Sequence, residues 1–361
     1  MKKKCQLSKN FNFLIDLKEK KEIKFKEFIE DIKKGNEITL FEILDEDEEF
    51  TNFNFFQLKK IGKLGIGGFA EVWKVMDKKK IDFALKIFIE EKKHLQTEKE
   101  LDSFINMFNE YQIIYNLRHP SIVHVFGLAY SLKNKTLGIV EELMQLDLRT
   151  FLKKNKKILN FNQKLNISIH ICNAFLFVHS RKFVHHDVKP GNILISEKMN
   201  EFEIKISDFG TCLKILKFSD LDDEDERFLS GISVHYASPE SILHCCFGEP
   251  LINDSKSDIW SLGILFYKIF VSEKNVVFPW SYLFQYKTKT SYPNQIKLVI
   301  LDEKEKPINK YLNKREKIEP LKTITELINE CLQVEKERRP DISKILEIFT
   351  ILENNLKPKY S

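Results

Sequence analysis

Long apolar runs, a one-sided charge balance and paired cysteines are all missing from this chain of 361 residues. The longest apolar stretch, SLGILFYKIFV at residues 261–271, is too short to span a bilayer and contains Lys268. Nothing resembles a signal peptide. The opening MKKK reads as a solvated basic tip, with lysine at position 2 where myristoylation needs glycine, and the closing KPKYS carries no cysteine for prenylation. With 58 basic against 53 acidic residues the net charge is only +5, and no basic stripe interleaved with aromatics appears, so nucleic acid is not an expected partner. Six cysteines are scattered at positions 5, 172, 212, 245, 246 and 331. Only Cys245 and Cys246 are adjacent, a poor pair for a metal or a disulfide, so the expectation is reduced thiols in the cytoplasm. Glycine (12) and proline (10) are scarce, and there is no low-complexity linker and no internal repeat.

What is present is the composition of a globular protein, 43% apolar and 31% charged, long enough for one large domain or two moderate ones. The 30 phenylalanines and the many lysines read as compositional drift. In the first 50 residues, KKEIKFKEFIEDIKKGN puts Phe25, Phe28, Ile29 and Ile32 on one helical face, with Gly35-Asn36 as a stop signal. Docking against the main domain is the plain expectation for that helix, and partner binding through residues 1–50 is the alternative. From Phe56 to about Tyr130 the pattern is strand-rich (FQLKKIGKL, AEVWKVMD, DFALKIFIE), with a helix expected over Glu98–Leu117. From Leu148 onward helical periodicity dominates. Strands with one helix, then a helical region, predict two lobes with a cleft between them.

The chemistry sits in four short stretches. IGKLGIGGFAEVWKV places Gly65, Gly67 and Gly68 in a turn between apolar strands, where backbone N–H groups can approach a phosphate; alone it is equally a hairpin turn. It is no P-loop, because no Gly-Lys-Ser/Thr follows. FALKIF puts Lys86 inside an apolar strand, where an ammonium needs a partner such as Glu110 on the following helix; singly, both could be surface residues. FVHHDVKPGNILI carries His185, His186, Asp187, Lys189 and Asn192, and KISDFGT carries Asp208. Adjacent histidines on a strand point to opposite faces, which argues against a shared metal ion. Asp187 can accept a hydroxyl proton, Lys189 can neutralise a transferring phosphoryl group, and Asn192 with Asp208 can offer oxygen ligands to Mg²⁺.

Taken together in this order, these motifs resemble the eukaryotic protein kinase family over roughly Phe56–Leu352. YASPE at 236–240, SDIWSLG with Asp258, and ERRPD with Arg339 extend the likeness to parts that do no chemistry. The resemblance implies an α+β bilobal fold, with a small strand-rich N-lobe holding one main helix and a larger helical C-lobe. It implies an N-terminal extension over 1–55, a kinase domain over 56–352 and a tail over 353–361. ATP and Mg²⁺ are the implied cofactors, and protein substrates with Ser/Thr acceptors the implied partners. Gly65, Gly67 and Gly68 would cover the phosphates. Lys86, paired with Glu110, would hold the α- and β-phosphates. Val72, Ala84 and Leu194 would sandwich adenine, whose edge would meet the backbone of Glu142 and Met144. Asp187 and Lys189 would act on the acceptor, and Asn192 and Asp208 would hold the metal. Asp258 would bind the backbone around Asp187, and Arg339 would pair with Glu240. Lys189-Pro190 resembles the serine/threonine type, and RHPSIVHVFGLAY and CLQVEKERRP resemble the tyrosine-kinase-like branch. A pseudokinase or scaffold is the alternative, but its mark is loss of the strand lysine, the catalytic Asp or the metal-binding Asp, and this chain keeps all three.

Three departures stand out: Ala70 for the third glycine of the turn, Glu141 at the gatekeeper position, and His186 where the family usually has Arg. That Arg ordinarily pairs with a phosphorylated activation segment, so His186 weakens a phosphate switch. The segment between Asp208 and Glu240 carries a run of acids, Asp220 and Asp222–Glu226, expected to be a solvated loop or a built-in substitute for phosphate.

Overall fold

A computed structural model describes residues 52–54, 57–66, 70–88, 107, 110–131, 136–155, 159–198, 201–215, 233–249, 253–271 and 319–356. The expected amphipathic helix near the N-terminus, Gly67, Gly68 and the acidic run at 220–226 lie outside these residues. The chain divides into two compact units: the described residues up to Gly65 with Glu71–Phe88 and Phe126–Val140, and those of Ile89–Val125 and Glu141 onward, with Ile66 and Ala70 joined to the second.

The first unit is built on a six-stranded sheet. Its strands are β1 (Asn52–Asn54), β2 (Lys59–Ile66), β3 (Ala70–Met76), β4 (Asp82–Phe88), β5 (Val125–Ser131) and β6 (Thr136–Glu141). They lie in the order β1-β5-β6-β4-β3-β2, with β1 parallel to β5. Alternation along β3 and β4 turns Val75, Phe83, Leu85 and Ile87 into a core completed by Leu58, Ala129 and Val140. Edge strand β2 is almost wholly exposed, and lysines 60 and 63 lie over the Trp73 ring at 4.5 and 4.9 Å. At Gly138 on β6, a Cβ would stand 2.7 Å from the Lys86 carbonyl oxygen, so a side chain there would push against β4 where it carries its lysine.

The second unit is mainly helical: α1 (residues 110–116), α2 (Leu148–Asn155), α3 (Phe161–Ser180), α4 (Pro239–Phe247), α5 (Lys256–Phe270), α6 (Leu321–Cys331) and α7 (Ile342–Leu356). Short strands β7 (Leu146–Asp147), β8 (Phe183–Val184), β9 (Ile193–Lys198), β10 (Glu201–Ile206) and β11 (Leu213–Lys214) form two small antiparallel sheets, β10-β9-β7 and β11-β8. α3 starts with a reciprocal cap in which the Gln163 N–H donates to the Asn160 side chain and the Asn160 N–H to Gln163. α4 starts with Ser238 as cap and Pro239 in its first turn, and it stops at Gly248 in the left-handed conformation, φ +73°.

α5 lacks a polar face because every residue but Lys256 and Lys268 is buried. The apolar run that was too short to span a bilayer is therefore the central helix of this unit. Gly263 lets α6 approach it, for a Cβ there would come within 2.7 Å of the Cys331 Cβ. Among the described residues no helix is long and apolar enough to cross a membrane.

Candidate active site

The stretch FVHHDVKPGNILI folds as two residues of strand, a loop and then β9, so His185 and His186 lie past the end of β8 rather than on it. Their side chains still diverge, but by loop geometry: His186 sits at φ +63°, in the left-handed region. Asp258 holds this turn from below. Fully buried at the start of α5, its carboxylate accepts the backbone N–H of His185 and of His186 at 2.9 Å each, and the His179 Nε2–H at 2.9 Å. Burial alone would raise the Asp258 pKa, but the His179 hydrogen bond and the neighbouring imidazoles outweigh it and leave the pKa below the usual carboxylate value.

His185 is a strut between the two motifs. A carbonyl can only accept, so Nε2 donates to the Ser207 carbonyl at 3.1 Å, which leaves Nδ1 to accept the Asp187 N–H at 3.3 Å. Its ring lies 4.9 Å from that of Phe209, which is itself fully buried. The backbone at Asp187 is thereby tied to the residue before Asp208. Thr211 adds a second tie by donating its hydroxyl to the His185 carbonyl at 2.9 Å.

The Asp187 carboxylate, 5% exposed, is surrounded by donors. Its Oδ1 accepts the Ser233 N–H at 3.2 Å, and its Oδ2 accepts Asn192 Nδ2 at 3.0 Å and the Lys189 ammonium. Lys189 also donates to Ser233 Oγ at 2.9 Å, so one ammonium joins the loop to the segment before α4. Asn192 Nδ2 reaches the Asp187 carbonyl at 2.9 Å as well, which commits the amide nitrogen to Asp187 and leaves Oδ1 as the donor for a cation. With Asp208, at φ +65° two residues before Gly210, the pair offers hard oxygen ligands of the type that Mg²⁺ or Mn²⁺ prefers. Among the described residues no cluster of three or more His, Cys, Asp or Glu could hold a metal ion. Gly210 lies beside Glu110 and Asp208: a Cβ there would stand 3.4 Å from Glu110 Oε2 and 3.7 Å from Asp208 Oδ1, ordinary contact distances.

The other expected site residues fall in both units. Gly65 is exposed on β2, Val72 half-buried on β3, and Ala84 and Lys86 buried on β4. Glu110, on α1 of the second unit, is 1% exposed. Leu194 lies on β9 opposite Asp147 of β7. Past β6 the Glu142 N–H donates to the His124 carbonyl at 2.9 Å, and the Glu142 side chain accepts from the His124 N–H and from Lys205. Glu141, the expected gatekeeper, is buried at 5% exposure.

Sequence reasoning missed the partner of His186. Its Nε2 donates to Asn253 Oδ1 at 2.9 Å, and Asn253 Nδ2 in turn donates to the Lys214 carbonyl on β11 at 2.8 Å. Burial holds the ring below its ordinary pKa, so at neutral pH it is an uncharged link, where a free histidine would be partly charged. Behind α4, Arg339 is 2% exposed and pairs with Glu240 through Nη1 at 2.6 Å and Nη2 at 2.9 Å, as the ERRPD and YASPE motifs imply.

A model of the protein kinase domain matches residues 58–349, and the chain belongs to that family. It is 28% identical over 300 residues to serine/threonine-protein kinase tousled-like 1-B of Danio rerio, covering 78% of this chain and 35% of that protein. The same figures hold for tousled-like 1 of Homo sapiens. It is 33% identical over 231 residues to a G-type lectin S-receptor-like serine/threonine-protein kinase of Arabidopsis thaliana, covering 62% of this chain and 25% of that protein. The chain thus spans about a third of the length of the tousled-like 1 relatives. A protein kinase domain implies ATP, a divalent metal and protein substrates, and its α+β fold agrees with the strand-rich and helical units described above.

Proposed function

We propose that this chain is an ATP- and Mg²⁺-dependent protein serine/threonine kinase. The observation that carries the reading is the setting of Asp187, a buried carboxylate held by Ser233, Asn192 and Lys189. Its orientation is fixed before any substrate arrives, and positioning of this kind supplies much of the rate in phosphoryl transfer. Asp187 orients the acceptor hydroxyl and takes its proton as the oxygen attacks the γ-phosphorus. Lys189 balances the charge that accumulates on the transferring group. Asn192 Oδ1 and Asp208 are the groups that would hold Mg²⁺, which when bound neutralises charge on the phosphate oxygens.

As in the family this chain belongs to, Lys86 and Glu110 would serve to hold the α- and β-phosphates, Gly65, Gly67 and Gly68 would cover them, and Val72, Ala84, Leu194 and the backbone of Glu142 and Met144 would receive adenine. Serine/threonine specificity rests on Lys189-Pro190 and on the names of the relatives. The test is transfer from γ-labelled ATP with Mg²⁺ to peptides that carry Ser, Thr or Tyr as sole acceptor. Label on Ser and Thr that disappears in Asp208→Ala is expected. Nucleotide binding with no label on any peptide overturns the reading.

A further inference from the structure

Two cations that the phosphate chemistry does not use, Arg149 and Lys268, lie against the two segments that hold Asp187. Arg149, in the first turn of α2, donates its N–H to the Pro190 carbonyl at 3.1 Å. Its guanidinium lies beside Gly191, where a Cβ would be 3.9 Å from Arg149 Nη2 and 3.8 Å from Lys189 Cε. The Arg149 side chain is 74% exposed. Its Nε pairs with Asp147 Oδ1 at 3.8 Å, and the oxygens of that carboxylate also accept the Thr150 N–H and hydroxyl at 2.8 and 3.0 Å. Lys268, on α5, lies with Nζ 5.2 Å from the Tyr236 ring centroid. Tyr236 donates its N–H to the Ser233 carbonyl at 2.8 Å, and Ser233 is the residue whose N–H reaches Asp187. Lys268 is thus connected to the Asp187 carboxylate through Tyr236 and Ser233, and Arg149 lies against the turn that carries Lys189.

The Arg149 charge also acts on Lys268. Lys268 is pulled down to a pKa of about 8, chiefly by burial and further by the Arg149 charge, and His235 is lowered by burial and by Lys268. A half-buried lysine with a second cation near it makes its own charged form costly, and an anion arriving beside the pair relieves both effects.

Resting on the kinase reading above, we propose that Lys268 and Arg149 form an acid-directed substrate subsite, which selects acceptors with an anionic side chain, carboxylate or phosphate, a few residues from the phosphorylated hydroxyl. The geometry suits this role because the cations flank the Lys189–Gly191 turn and the Ser233–Tyr236 turn, the two segments that frame Asp187. The full chain is tested on peptides with one fixed serine and each flanking position occupied in turn by Glu, phosphoserine, Ala or Arg. One position should favour Glu over Arg by about tenfold in kcat/KM, the size of one hydrogen bond to a charged group, with the difference in KM. A larger gain with phosphoserine than with Glu identifies phosphate as the ligand, and equal gains identify any anion.

Lys268→Arg should keep the preference and Lys268→Glu should invert it. Arg149→Ala, at an exposed position, should weaken it several-fold even if changes at Lys268 disturb α5. Transfer to serine with no acidic preference at any position overturns the subsite alone. Nucleotide binding without transfer to any peptide overturns the kinase reading and the subsite together.

Discussion

Replacing Asp258 by alanine tests how the acceptor-orienting loop is held. The wild-type carboxylate is fully buried and accepts three hydrogen bonds, from the backbone of His185 and His186 and from His179 Nε2, each at 2.9 Å. Alanine leaves two buried backbone N–H groups and one imidazole N–H without an acceptor, at about 1–3 kcal/mol each. The sum, about 3–6 kcal/mol after relaxation, is a large part of the ~5–15 kcal/mol that keeps a typical domain folded. Asp258→Asn separates the causes, since it preserves shape and one carbonyl acceptor but sets an NH₂ against the other donors; about half the loss is expected.

Urea unfolding at neutral pH reads the stability, and phosphoryl transfer reads the consequence for Asp187. A displacement of about 1 Å at the reacting groups costs about 100-fold in rate, so the asparagine variant should lose transfer well before it unfolds. The pH dependence follows from the sign of the shift. Because the folded-state pKa of Asp258 is depressed, its contribution is fully present above the unfolded carboxylate value of about 3.9 and is lost as pH falls through the lower folded value. Wild type should lose stability across that acid window by an amount that the asparagine variant does not show. An alanine variant within about 1 kcal/mol of wild type, with full transfer, would refute the reasoning.

Arg339→Ala should cost about 3–5 kcal/mol in the same unfolding assay, because it leaves Glu240 and the carbonyls of Lys256, Gln333 and Val334 without their donor. Gly263→Ala should cost about 1–3 kcal/mol through overpacking against Cys331, with the loss appearing in thermal unfolding. His186 has a lowered folded-state pKa, so the unfolded chain takes up its proton first and stability falls as pH drops below about 6.5. His186→Asn, a residue that tolerates the left-handed backbone, should flatten that fall by up to about 1.4 kcal/mol per pH unit, read from urea midpoints between about pH 7 and 5.

What the sequence made legible was local. Asp187, Lys189 and Asn192 sit within one loop, so their spacing already carries their geometry, and Asp208 follows one hairpin later. The strands around Val72, Ala84 and Lys86 were readable from the strand-rich pattern of the sequence. Partners far along the chain were not. His186 meets Asn253 across 67 residues, and an asparagine in a polar turn gives no sign of the histidine it will receive. Lys268 looked like an interruption in an apolar run until α5 set it over Tyr236. His185 and His186 diverge as expected but for a different reason, since strand alternation does not apply where the backbone turns left-handed.

The central claim is that Asp187 orients an acceptor for transfer rather than serving to bind nucleotide. The direct measurement compares ATP affinity by calorimetry with phosphoryl transfer to a serine peptide, in wild type and in Asp187→Asn. Asparagine cannot take the hydroxyl proton, so transfer should fall by at least about 100-fold while the ATP dissociation constant changes less than about threefold. Equal transfer in the two proteins, or loss of ATP binding in parallel with transfer, would contradict the role assigned to Asp187.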